Sequence, residues 1–404
     1  MSQPLQNPKA DKRKPGHLGY LTLATLGFFA ASSVPTPLYP LYQHQWGFSP
    51  AMLTLIFAIY AFSQLAALLT VGSLSDYLGR RPVIFCALLL QIVSLAVFLF
   101  ASDAGWLLAA RLVQGFATGL ATSALGAAML DTDQGRGPLL SSISPMLGMA
   151  VGALGSSLLV EYAPMPLLAG YLVLLVLVIL QTVYLLRVAE TVSPQPGAWQ
   201  SLRPRLHVPP QARSTLLLVL PVNTAAWALG GFFLSLMPSL LAQATGSTSS
   251  LHAGAAVATL TLVGALSIFS LRQRPPMLAL LVGASFLVMG LAVLLVAVNS
   301  GHLWLFFAGA AVAGVGFGSA FLGSMRMLMP LAHAHERAGL MSSFLVLSYL
   351  AFCLPALGAG LSARHYGLIL TSDVFGAVLI GLASLALASI VVRRFARAGN
   401  VRRA

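Results

Sequence analysis

Twelve runs of apolar residues, each long enough to cross a bilayer, follow one another along the chain with mostly short polar breaks between them. They lie near 18–42, 50–72, 81–101, 105–130, 138–160, 165–186, 214–241, 250–271, 276–298, 302–329, 338–361 and 367–392. A hydrocarbon core about 30 Å thick needs roughly 20 apolar residues in helical form, because no backbone group can turn to water inside it. The pattern predicts an all-α membrane protein of about twelve transmembrane helices. One break is different. Between the sixth and seventh runs the chain carries Pro194, Pro196, Pro204, Pro209 and Pro210 among several arginines, too polar to insert and too rich in proline to form one helix. Residues 187–213 are therefore read as a linker between an N-terminal six-helix bundle (1–186) and a C-terminal six-helix bundle (214–404).

The two halves carry traces of each other. Gly27-Phe28-Phe29 in the first run recurs as Gly231-Phe232-Phe233 in the seventh. Arg136, Leu140, Ser141 and Ser142, entering the fifth, recur as Arg337, Met341, Ser342 and Ser343, entering the eleventh. Duplicated bundles related by a pseudo-symmetry axis let a central site face either side when one half rocks on the other.

Composition agrees with a lipid environment, since 58% of residues are hydrophobic, 8% are charged and the mean hydropathy is +0.88. A soluble domain carries about a quarter charged residues. The net charge of +13 would suggest nucleic acid in a soluble protein, but its placement points to topology instead. Nineteen of the 22 Lys and Arg residues fall on one side of an alternating arrangement: Lys9, Lys12, Arg13, Lys14, Arg80, Arg81, Arg136, Arg187, Arg203, Arg205, Arg213, Arg272, Arg274, Arg337, Arg393, Arg394, Arg397, Arg402 and Arg403. By the positive-inside rule that side is cytoplasmic, both termini lie there, and the membrane is a bacterial-type inner membrane. A cleaved signal peptide at 18–31 would leave an odd number of spans and reverse the basic loops. Cys86 and Cys353 sit inside apolar runs and read as small hydrophobes. His252, His302, His333, His335 and His365 lie at loops or helix ends without a nucleophile or carboxylate pair, so neither an enzyme, a metal nor a cofactor is expected.

Between the second and third runs stands Gly72-Ser73-Leu74-Ser75-Asp76-Tyr77-Leu78-Gly79-Arg80-Arg81-Pro82. It resembles the G-x-L-x-D-x-x-G-R-[RK] signature loop of the major facilitator superfamily. The fourth run matches that family's R-x-x-Q-G-x-x-x-G pattern at Arg111, Gln114, Gly115 and Gly119. The fifth departs from the antiporter pattern of the drug-efflux branch: Gly148, Gly152 and Gly155 are present, but Ala153 replaces the proline and Ser156 and Ser157 the closing glycines. Ala189-Glu190-Thr191 after the sixth run is a faint version of a sugar-porter motif. The resemblance covers the whole chain and is specific in the second to fourth runs. Its nearest pattern is the multidrug and metabolite efflux branch.

The resemblance implies a conformational latch of Gly72, Asp76, Gly79, Arg80, Arg81 and Asp131, with Arg80 paired to Asp131 and Asp76 set against the N-terminus of the eleventh helix. It also implies a central cavity lined by the first, fourth, seventh and tenth helices. The candidate substrate contacts are Phe28, Ser32, Thr36, Tyr60, Gln64, Arg111, Gln114, Thr118, Asn223, Trp227, Phe233 and Tyr349. An intramembrane arginine such as Arg111 marks a cavity by default and favours an anionic or neutral solute. No acid sits in mid-span, so Asp373 is the candidate for proton coupling. The expected function is secondary active transport of a small amphiphilic or aromatic solute, by alternating access and in the efflux direction, by a monomer in the bilayer. Uptake or uniport of an organic anion or sugar is the alternative, and a channel or a non-transporting receptor is the alternative of another class.

Overall fold

The computed structural model describes residues 15–401 apart from 205, 248, 334 and 335. Lys9, Lys12, Arg13, Lys14, Arg205, Arg402, Arg403 and His335, named above, lie outside the described residues. Among the described residues there is no strand, and twelve helical spans are long and apolar enough to cross a membrane.

Spans 2 to 6 are Pro50–Thr70, Arg80–Leu99, Ala104–Thr132, Gly137–Tyr162 and Pro166–Leu185. Spans 8 to 12 are Ser250–Leu271, Pro276–Ser300, Leu303–Leu328, Arg337–Tyr366 and Leu368–Val401. Spans 1 and 7 are each broken, where the hydrophobic pattern reads as continuous. Span 1 runs as Pro15–Ser33, passes a 3-10 turn at Thr36–Leu38 and continues as Tyr39–Trp46. Span 7 runs as Pro210–Ser235 and restarts as Met237–Thr245. Pro35 and Pro37 in one, and Pro238 in the other, lack the N–H that an unbroken helix requires. Both restarted segments end on a left-handed glycine, Gly47 at φ +66° and Gly246 at φ +69°. Both are followed by a serine cap, with Ser49 Oγ accepting from Met52 N and Ser249 Oγ from Leu251 N. The duplication seen in the Gly-Phe-Phe triplets thus extends through break, turn and cap.

Spans 1–6 pack on one another, as do spans 7–12, and the halves meet along two seams, span 2 against span 11 and span 5 against span 8. Between spans 6 and 7 the linker holds a single helical turn, Ala198–Ser201. With twelve crossings, the start of span 1 and the end of span 12 share one side. The loops that follow spans 2, 4, 6, 8 and 10 lie on that side, with Arg136, Arg187, Arg203, Arg272 and Arg274 among them, so it is the basic side.

On the opposite side the seams are tight. A Cβ on Gly360 of span 11 would collide with Thr54 of span 2, and one on Gly254 of span 8 would collide with Ser157 of span 5. Three hydrogen bonds tie the halves there: Thr36 Oγ1 to Leu234 O (3.1 Å), Ser239 Oγ to Gln43 Oε1 (3.3 Å) and Ser249 Oγ to Glu161 Oε2 (3.2 Å).

Candidate functional site

A cavity of about 1300 Å³ lies between the halves. Its walls come from spans 1, 2, 4, 5, 7, 8, 10 and 11, with the linker and Pro276 at the start of span 9 also bordering it, while spans 3, 6 and 12 stand outside it. The rim holds Asp76, Tyr77, Arg203, Arg326, Pro330 and Ala338, all on the basic side, so the cavity opens there. At the far end Phe57 of span 2 meets Phe352 of span 11, with ring centroids 4.9 Å apart. Phe57, Tyr60 and Gln64 recur at i, i+3 and i+7 and share one face of span 2. Phe352, Tyr349 and Leu345 form the mirrored row on span 11. Each row steps from the closed end toward the open rim.

Six of the twelve expected substrate contacts border this cavity: Ser32, Tyr60, Gln64, Trp227, Phe233 and Tyr349. Phe28, Thr36, Arg111, Gln114, Thr118 and Asn223 do not. Along span 4, Gly115 and Gly119 pack on the backbone of Tyr60 and Gln64, so the stretch from Arg111 to Thr118 is covered by spans 1 and 2, while Thr122, Ser123, Gly126 and Met129 face the cavity. Asn223 bonds Ser348 within the second half instead (Nδ2 to Oγ, 2.9 Å).

Arg111 stands in a different place from the one expected. It is 1% exposed and neither faces the cavity nor snorkels to a surface. Its Nη1 donates to Ser32 O (2.8 Å) and Gln114 Oε1 (2.7 Å), and its Nε and Nη2 reach the Tyr39 hydroxyl. The guanidinium lies 5.0 Å from the Tyr60 ring centre and 5.7 Å from that of Tyr39, within the range of cation–π attraction. Gln114 Nε2 in turn donates to Ala31 O (3.0 Å). These bonds knit spans 1 and 4 just where the span 1 helix breaks. The free carbonyls of Ala31 and Ser32 and the Tyr39 hydroxyl beyond the turn find their partners in span 4. Tyr39 carried no sequence signal, because its role follows from that break.

The signature loop is bound on three sides. Arg80 Nε donates to Asp131 Oδ2 (3.0 Å), and its Nη1 donates to Ser75 Oγ (2.7 Å) and to Asp76 Oδ1. The N-terminus of span 3 is covered by the Glu190 carboxylate, which accepts from Arg80 N (2.8 Å) and Arg81 N (2.9 Å). An anion at that position satisfies exposed N–H groups and meets the positive end of the helix dipole. The linker adds Thr191 Oγ1 to Asp131 Oδ2 (3.2 Å), Gln195 N to Tyr77 O (2.8 Å), and Ser73 Oγ to Ser201 O (3.1 Å). Gly79, at φ +98°, makes the turn into span 3, and Gly72 and Asp76 border the cavity mouth. Asp76 differs from expectation: among the described residues no hydrogen bond joins it to span 11, and its side chain is 55% exposed. The start of span 11 meets the linker instead, with His207 N donating to Gly339 O (3.4 Å). That separation follows from the open mouth between Asp76 and Ala338.

Asp373 lies in the second turn of span 12 and accepts from Asn299 Nδ2 (2.8 Å), at the last turn of span 9. It is half-buried and faces away from the cavity lining.

A profile of the Major Facilitator Superfamily matches residues 21–356. The chain belongs to this superfamily. A 112-residue stretch is 35% identical to an uncharacterized transporter of Rickettsia bellii (strain RML369-C), covering 26% of this chain and 27% of that one. A 111-residue stretch is 34% identical to an uncharacterized transporter of Rickettsia felis (strain ATCC VR-1525 / URRWXCal2), with the same coverage. The chain thus matches about a quarter of the length of either relative. The crystal structure of a point mutant of the nucleoside transporter NupG superposes with a TM-score of 0.68 over 92% of this chain and 99% of that one, at 14% identity. At that identity the likeness is one of fold alone.

Proposed function

We propose that this chain is a secondary carrier that moves a small amphiphilic or aromatic solute by alternating access, in the efflux direction. The observation that supports it most is the position of the cavity mouth. The site lies between two duplicated halves, is open on the basic side and is sealed on the other by paired glycine seams and the Phe57–Phe352 contact. A cavity open to one side at a time is what separates a carrier from a channel. Read by the positive-inside rule, the open side is the cytoplasm, from which an exporter loads.

The Arg80, Asp76, Asp131 and Glu190 cluster is the latch in this reading, with the linker as part of it. When the mouth closes, Asp76 exchanges solvent for the N-terminus of span 11, a favourable place for a carboxylate. The carboxylate that borders the cavity is Asp76 at the rim. Proton coupling through Asp373 would therefore act through the spans on which span 12 packs, namely 7, 9 and 11.

Counterflow tests the carrier reading. Proteoliposomes preloaded with an unlabelled aromatic amphiphile are expected to take up the same radiolabelled compound at least severalfold faster than empty ones. Rapid flux of that compound without this acceleration by trapped solute would instead identify a channel.

A further inference from the structure

At the deep end of the cavity Gln64, Trp227 and Tyr349 take no part in the latch or the seams. Gln64 is 2% exposed, borders the cavity, and its Nε2 donor has no hydrogen-bond partner among the described residues. A buried donor without a partner is costly; this nitrogen is itself closed off behind the cavity wall, and a solute acceptor that draws the Gln64 amide out of the wall would satisfy it. Across the cavity, on the second half, Trp227 packs on Tyr349 (ring centroids 5.1 Å apart) and on Phe352 (5.7 Å). All three rings border the cavity. They offer flat aromatic surface against which a planar ring can stack or pack edge to face.

Charge distribution completes the picture. Among the described residues the charged ones that border the cavity are Asp76, Arg203 and Arg326, and each stands at the rim. Arg326 is further engaged through Nη1 with Arg274 O (2.7 Å). Arg111 lies behind the Tyr60 ring with its donors engaged by Ser32 O, Gln114 Oε1 and the Tyr39 hydroxyl, and it does not line the cavity. A charged solute moved from the rim into the depth would lose water and meet no charged group on the wall with which to pair.

We propose that the deep end of the cavity is a binding site for an uncharged, planar ring solute bearing a hydrogen-bond acceptor, held between Gln64 of the first half and the Trp227–Tyr349 surface of the second. This rests on the carrier reading and narrows it to a substrate class. Because the two contacts come from different halves, the bound solute bridges them. Rocking the halves apart breaks one contact, which couples release to the change of access.

The test is isothermal titration of the full-length protein in lipid nanodiscs with four probes: 2-naphthamide, 2-naphthoate, 2-naphthylmethylammonium and cyclohexanecarboxamide. The amide with the aromatic ring is expected to bind at least tenfold tighter than the anion, the cation and the saturated amide. Gln64→Leu and Trp227→Leu should each weaken it at least tenfold, and Trp227→Phe should restore most of the loss. The order of the four probes on the unaltered protein needs no variant, so a variant that fails to fold does not remove the test. Equal or tighter binding of either charged naphthalene, binding of no probe, or full affinity in folded Gln64→Leu would overturn the proposed class. Counterflow of other solutes would still stand in that case, whereas its failure would remove the carrier reading itself.

Discussion

Replacing Gly360 with leucine is expected to reverse the side from which the cavity is reached. In the present conformation a Cβ at Gly360 would sit against Thr54 Oγ1 and within 2.6 Å of its Cγ2, so the closed seam between spans 2 and 11 has no room for a side chain. Thr54 is fully buried and its hydroxyl is committed to Ala51 O (3.0 Å), so it has nowhere to move. Overpacking of this kind costs about 1–3 kcal/mol, occasionally more. States of a carrier differ by a few kcal/mol, so a wedge on one side alone shifts the population by about tenfold or more. The readout is a single cysteine in place of Ser32, a cavity residue, in a background lacking Cys86 and Cys353. An impermeant maleimide should label it from the basic side in the parent protein and from the opposite side in Gly360→Leu, with transport lost. Unchanged sidedness of labelling would mean that this seam is not what holds the opposite side shut.

Arg111→Met is expected to damage the fold rather than the choice of solute. The substitution removes every donor from Ser32 O, the Tyr39 hydroxyl and Gln114 Oε1 at once, inside packing that is 1% exposed. Each orphaned buried group costs about 1–3 kcal/mol. The sum is several kcal/mol, and a fall in melting temperature of about 5–10 °C follows. Arg111→Lys should recover little, because one ammonium cannot reproduce a fork that serves three acceptors on two helices. A normal melting temperature combined with loss of anion binding would return Arg111 to the role of a cavity cation.

These two residues also mark what the sequence can reveal. Membrane spans were legible because their physics is local: apolar runs of the right length and arginines that stay on one side. The Arg80–Asp131 contact was legible because its spacing repeats a known motif. Arg111 was legible as an intramembrane cation but not as a buried one, since the helix break at Pro35 and Pro37 that wraps span 1 around it is invisible to a hydrophobic window. Glu190 was legible only as a degenerate motif, because its work depends on the linker folding back under span 3. The pairing of Phe57 with Phe352, nearly three hundred residues away, depends on which side of the molecule is closed, a property of conformation that no single stretch of sequence encodes.

As a carrier, the molecule is expected to rock its two halves about seams 2–11 and 5–8 so that one side opens as the other closes. Spin-label distances test it directly, with one pair at Arg136 and Ala338 on the basic side and another at Gln45 and Gln243 on the opposite side, all four exposed and each pair spanning the halves. On addition of a transported solute, the Arg136–Ala338 distance is expected to shorten in the same fraction of molecules in which the Gln45–Gln243 distance lengthens. Two distances that change in the same sense, or that both stay fixed while counterflow proceeds, would contradict it.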